Sequence, residues 1–451
     1  MSANPPTTSQ RLLLQGGRIL DPATQTDRVG DVLVVDGRIA AIAPTITAEP
    51  NDHVMTLTPE HWVTPGLVDI HVHFRDPGQP AKETTLTGAH AAMAGGFTSV
   101  CIMPNTRPTL DNTHTLEYVQ QAAQQTPVRI FPVCAVTEGL KGERITPMAQ
   151  LAGLGSVAFT DDGLCVMNAQ IMKQALDYSA QLDVPIMQHA EDHNLSGKPA
   201  MHAGHVACCL GLPGMSNAAE STIVARDIEL ARATGGHVHV CHISTQEAVE
   251  LVHRAQAEGL KVTAEVTPHH LVLTEDALWG YDTDYKMCPP LRAEADRQAV
   301  VAGLIDGTIG AIATDHAPHT ATEKARPFTQ APMGVVGLET AVGVVLTHLY
   351  HTNMMDALTL VSRMTWEPVQ IMHLDRQQPG IGRLAVGELA DITVIDPNAS
   401  WVVDPTAFLS KSRNSCFKSM TLTGKPLTTI IAGQVVWQAH NAAPSRQLTT
   451  P

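Results

Sequence analysis

Eight short apolar runs, each ending in polar residues and most separated by alanine-rich helical stretches, constrain this chain more than any other feature. In order they read GLVDIHVHF, FTSVCIMPNT, VRIFPVCAVT, GSVAFTDDG, VPIMQHAED, HVHVCHIST, KVTAEVTPHH and IGAIATDHAPH. Near-continuous apolar strands that alternate with helices are the pattern of a parallel sheet covered on both faces. Eight such units in about 310 residues predict a TIM (β/α)8 barrel with insertions. The clearest helix is predicted over 217–234, where Asn217 and Glu220 have capping-box spacing and Ile223, Ile228 and Leu230 supply apolar positions.

The two ends of the chain have a different texture. DVLVV and RIAAIAP flank Asp36-Gly37, a two-residue hairpin signal, and DITVI (391–395) and TTIIAGQVVW (428–437), with a turn at Ala432-Gly433, are again β. A central α/β region bracketed by two β-rich ends predicts one small composite β-sandwich domain built from both termini. The expected division is 1–63 and 376–451 for the two parts of that domain and 64–375 for the barrel.

With 44% hydrophobic and 16% charged residues the chain can bury a large core. Its formal net charge of -15 argues against nucleic acid and anionic membranes as partners, so local arginines must hold any anionic substrate. No apolar run approaches the length of a membrane span, and MSANPPTTSQ lacks the pattern of a signal peptide. Eight cysteines without CxxC spacing read as reduced, mostly buried thiols of a cytoplasmic protein.

Chemistry in a TIM barrel sits at the C-terminal ends of the strands. There the sequence offers His71 and His73, Asn105, Asp161 and Asp162, His189, His242, His269 and His270, and Asp315, His316 and His319. His71 and His73 stand two apart on a strand and so share one face. Imidazoles and carboxylates converging on one rim are the ligand set of a zinc-type centre with one or two metals. The third run ends in Thr137 and Glu138 and offers no ligand. His269 and His270, being adjacent, are expected to point to opposite sides and to stay outside the ligand set. His202 and His205 read as surface residues of a glycine-rich insertion. His114, His253, His348, His351 and His373 read as solvated, and Cys208-Cys209 as a buried helical pair. The polar segment 317–334 reads as a mobile cover.

The motifs DIHVHFRDPG, MPNT, FTDDG, HAED, HIST, PPLR and ATDHAPH, in this order and over nearly the whole chain, resemble those of the type I bacterial dihydroorotases among the cyclic amidohydrolases. The resemblance implies the barrel and composite β-sandwich described above. It implies Zn2+, one or two ions per subunit, with His71, His73 and Asp315 on one metal and His189 and His242 on the other. Several relatives bridge the metals with a carboxylated lysine; no lysine stands at a strand end here. The resemblance implies an aspartate of FTDDG as the bridge, Asp162, with Asp161 as runner-up.

The implied reaction is the reversible cyclisation of N-carbamoyl-L-aspartate to L-dihydroorotate in de novo pyrimidine biosynthesis. Asp315 is the implied catalytic proton carrier, and Arg75, Asn105, Cys288, His319, Met333 and Gly334 the implied contacts to this small-molecule substrate. A homodimer and an association with aspartate transcarbamoylase are compatible with the resemblance. An allantoinase or hydantoinase is the alternative enzyme, although those relatives usually carry the bridging lysine and lack the Arg75/Asn105 pair. A non-catalytic partner of aspartate transcarbamoylase is the alternative non-enzyme, set against an intact ligand set. One departure stands out: at the expected end of the seventh strand the family usually reads Asn-Pro-Pro-Leu-Arg, where this chain has Cys288.

Overall fold

The computed structural model describes residues 10–439 and 446–447. Five strands come first: β1 (Arg11–Asp21), β2 (Thr26–Val35), β3 (Arg38–Ala43), β4 (His53–Thr56) and β5 (Trp62–Pro65). The barrel strands follow as β6 (Leu67–Val72), β7 (Phe97–Ile102), β8 (Arg129–Cys134), β9 (Ala158–Phe159) and β10 (Ile186–Gln188). A small parallel pair, β11 (Met201–His202) and β12 (Gly214–Met215), intervenes before β13 (Val238–Val240), β14 (Val262–Val266) and β15 (Ala311–Ile312). The chain returns to β structure in β16 (Ile392–Val402), β17 (Thr421–Ile431), β18 (Gln434–Gln438) and β19 (Arg446–Gln447).

Each of the eight apolar runs contains one strand of an eight-stranded sheet in the order β15-β14-β13-β10-β9-β8-β7-β6. A parallel bridge between Val72 and His316 links its two edge strands, and the His73 amide donates to the His316 carbonyl at 2.9 Å. Asp69 tightens the same seam: its carboxylate accepts from the Thr314 hydroxyl at 2.6 Å and from the His71 amide at 3.1 Å. Helices alternate with the strands, and Val68, Ile70, Cys101, Met103, Phe131, Val133, Met187, Cys241, Ala311 and Ala313 belong to one buried cluster contributed by strands all around the barrel.

Within β6 the pairing register shifts between Asp69 and Val72. A one-residue slip exchanges the two faces of a strand. This one separates Val68 and Ile70, which pack in the barrel interior, from His71 and His73, which reach the same interior from odd-numbered positions.

Strands from both ends of the chain share a nine-stranded sheet, in which β5 is hydrogen-bonded to β1 on one side and to β16 on the other. Leu14, Ile19, Val34, Ile39, Val63, Ile392, Val394 and Ile430 from these strands fall in a single buried cluster, so the sheet curls around its own core. Both expected hairpins are present: Asp36 and Gly37 (φ 48° and 82°) join β2 to β3, and Ala432 and Gly433 (φ 47° and 76°) join β17 to β18. Positive φ at both turn residues matches the right-handed twist of the flanking strands.

Several local expectations are corrected. The helix Asn217–Thr234 has the expected span, but its N-cap is Ser216, without a side-chain cap bond. Glu220 faces inward instead and accepts from the amides of Ser244 and Thr245, each at 3.0 Å. Cys208 and Cys209 are exposed. His202 is buried beside Arg292. No helix of the described residues is long and apolar enough to cross a membrane.

Candidate metal centre and substrate pocket

A single carboxylate organises the C-terminal rim of the barrel. Asp162 Oδ2 lies 3.4 Å from Nε2 of both His71 and His73, and its Oδ1 lies 3.5 Å from His189 Nδ1 and 3.4 Å from His242 Nε2. Asp315 Oδ1 approaches the first pair, 3.0 Å from His73 Nε2 and 3.7 Å from His71 Nε2. All six side chains are buried. Asp161 turns elsewhere, accepting from the Thr137 amide at 2.9 Å and from the Thr137 hydroxyl, which is the use the third strand end finds.

The donor set fits a metal on two counts. His71 Nε2 and Asp162 Oδ1, which face the cluster, are buried without a hydrogen-bond partner, a costly state unless something else satisfies them. The groups His71/His73/Asp162 and Asp162/His189/His242 each bring their ligand atoms within 4.8 Å of one another. The electrostatics also ask for positive charge. Although burial favours the neutral imidazole, the Asp162 and Glu265 carboxylates push the pKa of His71 well above its ordinary value. Burial would raise the pKa of Asp162, yet His71, His189 and His242 hold it well below the usual carboxylate range. Against burial again, His73 and His71 hold Asp315 low, so it is ionised at neutral pH.

Outer partners aim the rings. Glu265 Oε1 takes His71 Nδ1 at 2.5 Å, Asn105 Oδ1 takes His73 Nδ1 at 2.8 Å, and Glu191 Oε2 takes His189 Nε2 at 3.1 Å. Each such bond fixes a tautomer and leaves the other ring nitrogen free to ligate. Glu265 and Glu191 escaped the sequence reading, although a lone glutamate inside the apolar run KVTAEV was a signal that could have exposed the first. A further group, His71, Cys241 and Glu265, has its donor atoms equally close together. His242 (φ 33°), Asp315 (φ 46°) and Arg75 (φ 58°) all occupy the left-handed region, backbone strain of the kind that gathers at functional sites.

Beside this centre a cavity of about 300 Å³ is lined by Arg75, Asn105, Glu191, Cys288, His319, Met333 and Gly334 together with the histidines and aspartates. Arg75 is 9% exposed, and its Nε donates to the Pro318 carbonyl at 3.4 Å. Burial pushes its pKa down only to about 10, so it remains a cation. His319 Nε2 donates to the Met333 carbonyl at 2.8 Å, and its Nδ1 accepts from Lys82 Nζ at 3.3 Å. Burial, with Arg75 and Lys82 nearby, pushes the pKa of His319 down to about 3, which keeps the ring neutral. Gly334 has φ 126°, and a Cβ there would stand 2.8 Å from Ala317 Cβ and 3.2 Å from His319 Nε2. Only glycine fits.

Three expectations about the rim change. Cys288 is not at the end of the seventh strand: β14 ends at Val266, and Cys288 lies in the long excursion that follows, where His270 Nε2 donates to the adjacent Pro289 carbonyl at 3.1 Å. His269 and His270 do not diverge; they sit on one short helix with ring centroids 4.6 Å apart. The segment 317–334 is anchored. Lys286 Nζ donates to the Phe328 and Ala331 carbonyls at 2.6 and 2.7 Å, and Lys324 Nζ to that of Gly334 at 3.0 Å. Asn414, for which the sequence carried no signal, donates to the Ala317 and Gly334 carbonyls at 3.1 and 3.0 Å.

Comparison with known proteins points to one family. The family model for dihydro-orotase-like proteins matches residues 61–248. A dihydroorotase of Pelotomaculum thermopropionicum is 46% identical over 95% of this chain and 99% of its own length. One of Solibacter usitatus is 43% identical over 96% of this chain and 99% of its own. Among solved structures, L-hydantoinase (dihydropyrimidinase) from Arthrobacter aurescens superposes with a TM-score of 0.84 at 24% identity, covering 97% of this chain and 98% of that one. That likeness is one of fold. Taken with the near-full-length relatives, it means that the chain belongs to the dihydroorotase family.

Proposed function

We propose that the chain is a zinc-dependent dihydroorotase of the bacterial type I group, interconverting N-carbamoyl-L-aspartate and L-dihydroorotate in de novo pyrimidine biosynthesis. One observation carries the reading: Asp162 offers one oxygen to the His71/His73 pair and the other to the His189/His242 pair, beside a cavity that Arg75 lines. His71, His73 and Asp315 would hold one ion and His189 and His242 the other, with Asp162 between them. Divalent zinc in such a site supplies a Lewis acid that lowers the pKa of water to about 7 and polarises the reacting carbonyl.

The chain's own groups do the rest. Asp315, ionised at neutral pH, takes the proton of the attacking water in ring opening and returns it to the departing ring nitrogen; ring closure reverses both transfers. Arg75 grips the substrate carboxylate through its planar fork of donors. Asn105 commits its Oδ1 to His73, which leaves its amide N–H groups for the same carboxylate. His319, held neutral with its one N–H on the Met333 carbonyl, forms the wall on that side, and Gly334 keeps the space beside it open.

The proposal extends to the cytoplasm as compartment, supported by eight free thiols, and to the division of the chain at 1–63, 64–375 and 376–451. A homodimer and an association with aspartate transcarbamoylase rest on the family resemblance and are tested by light scattering with and without that enzyme. Metal analysis paired with an ultraviolet assay of dihydroorotate hydrolysis tests the activity. A fully metallated protein that does not open dihydroorotate would overturn the substrate assignment, and a metal-free protein that does would overturn the centre.

A further inference from the structure

We propose that His189 Nε2, Glu191 and Cys288 form a third cation site, which shares His189 with the Asp162-centred cluster, takes a thiophilic divalent cation such as Cd2+ and inhibits the enzyme when filled. Cys288 Sγ lies 3.3 Å from Glu191 Oε2 and 3.6 Å from His189 Nε2, and the latter two atoms are 3.1 Å apart. A tetrahedral zinc ion, bonded at about 2.3 Å to sulfur and about 2.0–2.2 Å to nitrogen and oxygen, spaces its ligand atoms about 3.3–3.6 Å apart, and the larger Cd2+ needs them a few tenths of an ångström further apart. Shifts of a few tenths of an ångström therefore convert the present contacts into a chelate. One thiolate, one imidazole and one carboxylate form a mixed set in which the thiolate selects a soft cation.

The site is built and accessible. Glu191 stands two residues beyond His189 after β10, and Cys288 is held opposite by the loop that His270 clasps at Pro289. All three side chains line the cavity proposed for the substrate, and Cys288 is half-buried, so a cation enters by the substrate's route. An ordinary thiol carries its proton at neutral pH. Binding breaks that S–H bond, releases the proton to water and forms the metal–sulfur bond, with no change of oxidation state.

Inhibition follows from the imidazole. A neutral ring has one lone-pair nitrogen. His189 uses Nδ1 toward Asp162 while its Nε2–H donates to Glu191. A cation at Nε2 must either strip that ring of its remaining proton or take His189 away from the Asp162 cluster. It also stands where substrate would sit.

The test uses the metallated protein carrying Cys208→Ser and Cys209→Ser, because those exposed thiols, with His205 Nε2 3.6 Å from Cys209 Sγ, would bind cadmium themselves. Titration with Cd2+ alone is followed by the ultraviolet thiolate-to-cadmium charge-transfer band and, in parallel, by turnover. One equivalent should produce the band, and half-inhibition should need at least tenfold more Cd2+ after Cys288→Ser, which should also abolish the band. Cys288→Asn, assayed like the others at a fixed multiple of its own KM, provides the same comparison should the serine variant fold poorly. An equal band and equal half-inhibition with and without the thiol would overturn the site, as would inhibition that only tracks release of the resident metal. Because the band is read without turnover, the site stands or falls independently of which cyclic amide the enzyme opens.

Discussion

Glu265 Oε1 lies 2.5 Å from Nδ1 of His71, while Nε2 of the same ring faces Asp162 at 3.4 Å. The carboxylate also takes His239 Nε2 at 3.2 Å, with both side chains fully buried in the barrel. Glu265 thus decides which nitrogen of His71 carries the proton and which offers its lone pair. Losing such an outer partner typically costs 10–100-fold in metal affinity. Glu265→Gln should weaken metal binding by about that factor, measured by chelator competition, with turnover restored by excess metal. Unaltered affinity would mean that Glu265 merely fills the barrel floor.

Direct loss of a ligand should be harsher. His73→Ala removes a ring that faces both Asp162 and Asp315, and nothing on the barrel wall can replace it. Most of the metal and nearly all turnover should disappear. A variant that retains full metal content and activity would remove His73 from the centre.

In the proposed mechanism Asp315 is both ligand and proton carrier, and the amide separates the two roles. Asp315→Asn keeps the shape and one oxygen near His73 Nε2 but cannot accept a proton at neutral pH. Turnover should fall by about 10² or more. Normal turnover with normal metal content would refute the proton-carrying role.

A carboxylate away from the centre gives a pH prediction. Burial pushes the pKa of Glu339 up to about 7, against the pull of the Ser410 and Leu409 amides that it accepts from. Its folded pKa lies above the ordinary carboxylate value, so the folded chain binds the extra proton between about pH 4.5 and 7. The contribution to stability is complete below that window and is lost as pH rises through 7. Relative to Glu339→Gln, the native chain should lose up to about 3 kcal/mol of unfolding free energy between pH 5 and 8, less whatever solvent screens. Denaturant titrations at the two pH values measure it, and a pH-independent difference would show Glu339 ionised throughout.

How far the chain could be read follows from where its information lies. Parallel strands covered on both faces must be continuous apolar runs, so all eight were visible, and the polar residues just past them brought His71, His73, Asp162, His189, His242 and Asp315 together. Residues acting from a distance along the chain were not visible. Asn414 buttresses Gly334 from a C-terminal loop, and Cys288 reaches the pocket from well beyond β14. Glu191 and Glu220 show the other limit: the first stands inside the HAED motif with no spacing to mark it, and the spacing of the second predicts a helix cap. A side chain's partner across the fold leaves no periodic trace along the chain. Exposure of short helices was equally hidden, as Cys208 and Cys209 demonstrate.

Cys288 stands where the resemblance to dihydroorotases implies an asparagine. Its thiol meets Glu191 and His189 at the edge of the cavity. A thiol donates and accepts weakly and cannot reproduce the paired donor and acceptor of an amide. A missing hydrogen bond to the substrate ring is worth around 0.5–1.5 kcal/mol, or up to about tenfold in affinity. That is too little to abolish activity and enough to weaken ring recognition. Cys288→Asn should therefore lower KM for dihydroorotate severalfold with little change in kcat, because the amide would bind ground state and transition state alike. Steady-state kinetics on the two proteins at matched metal content decide it. A raised KM would show that the pocket is adapted to the thiol, and a different cyclic amide would then become the substrate to seek.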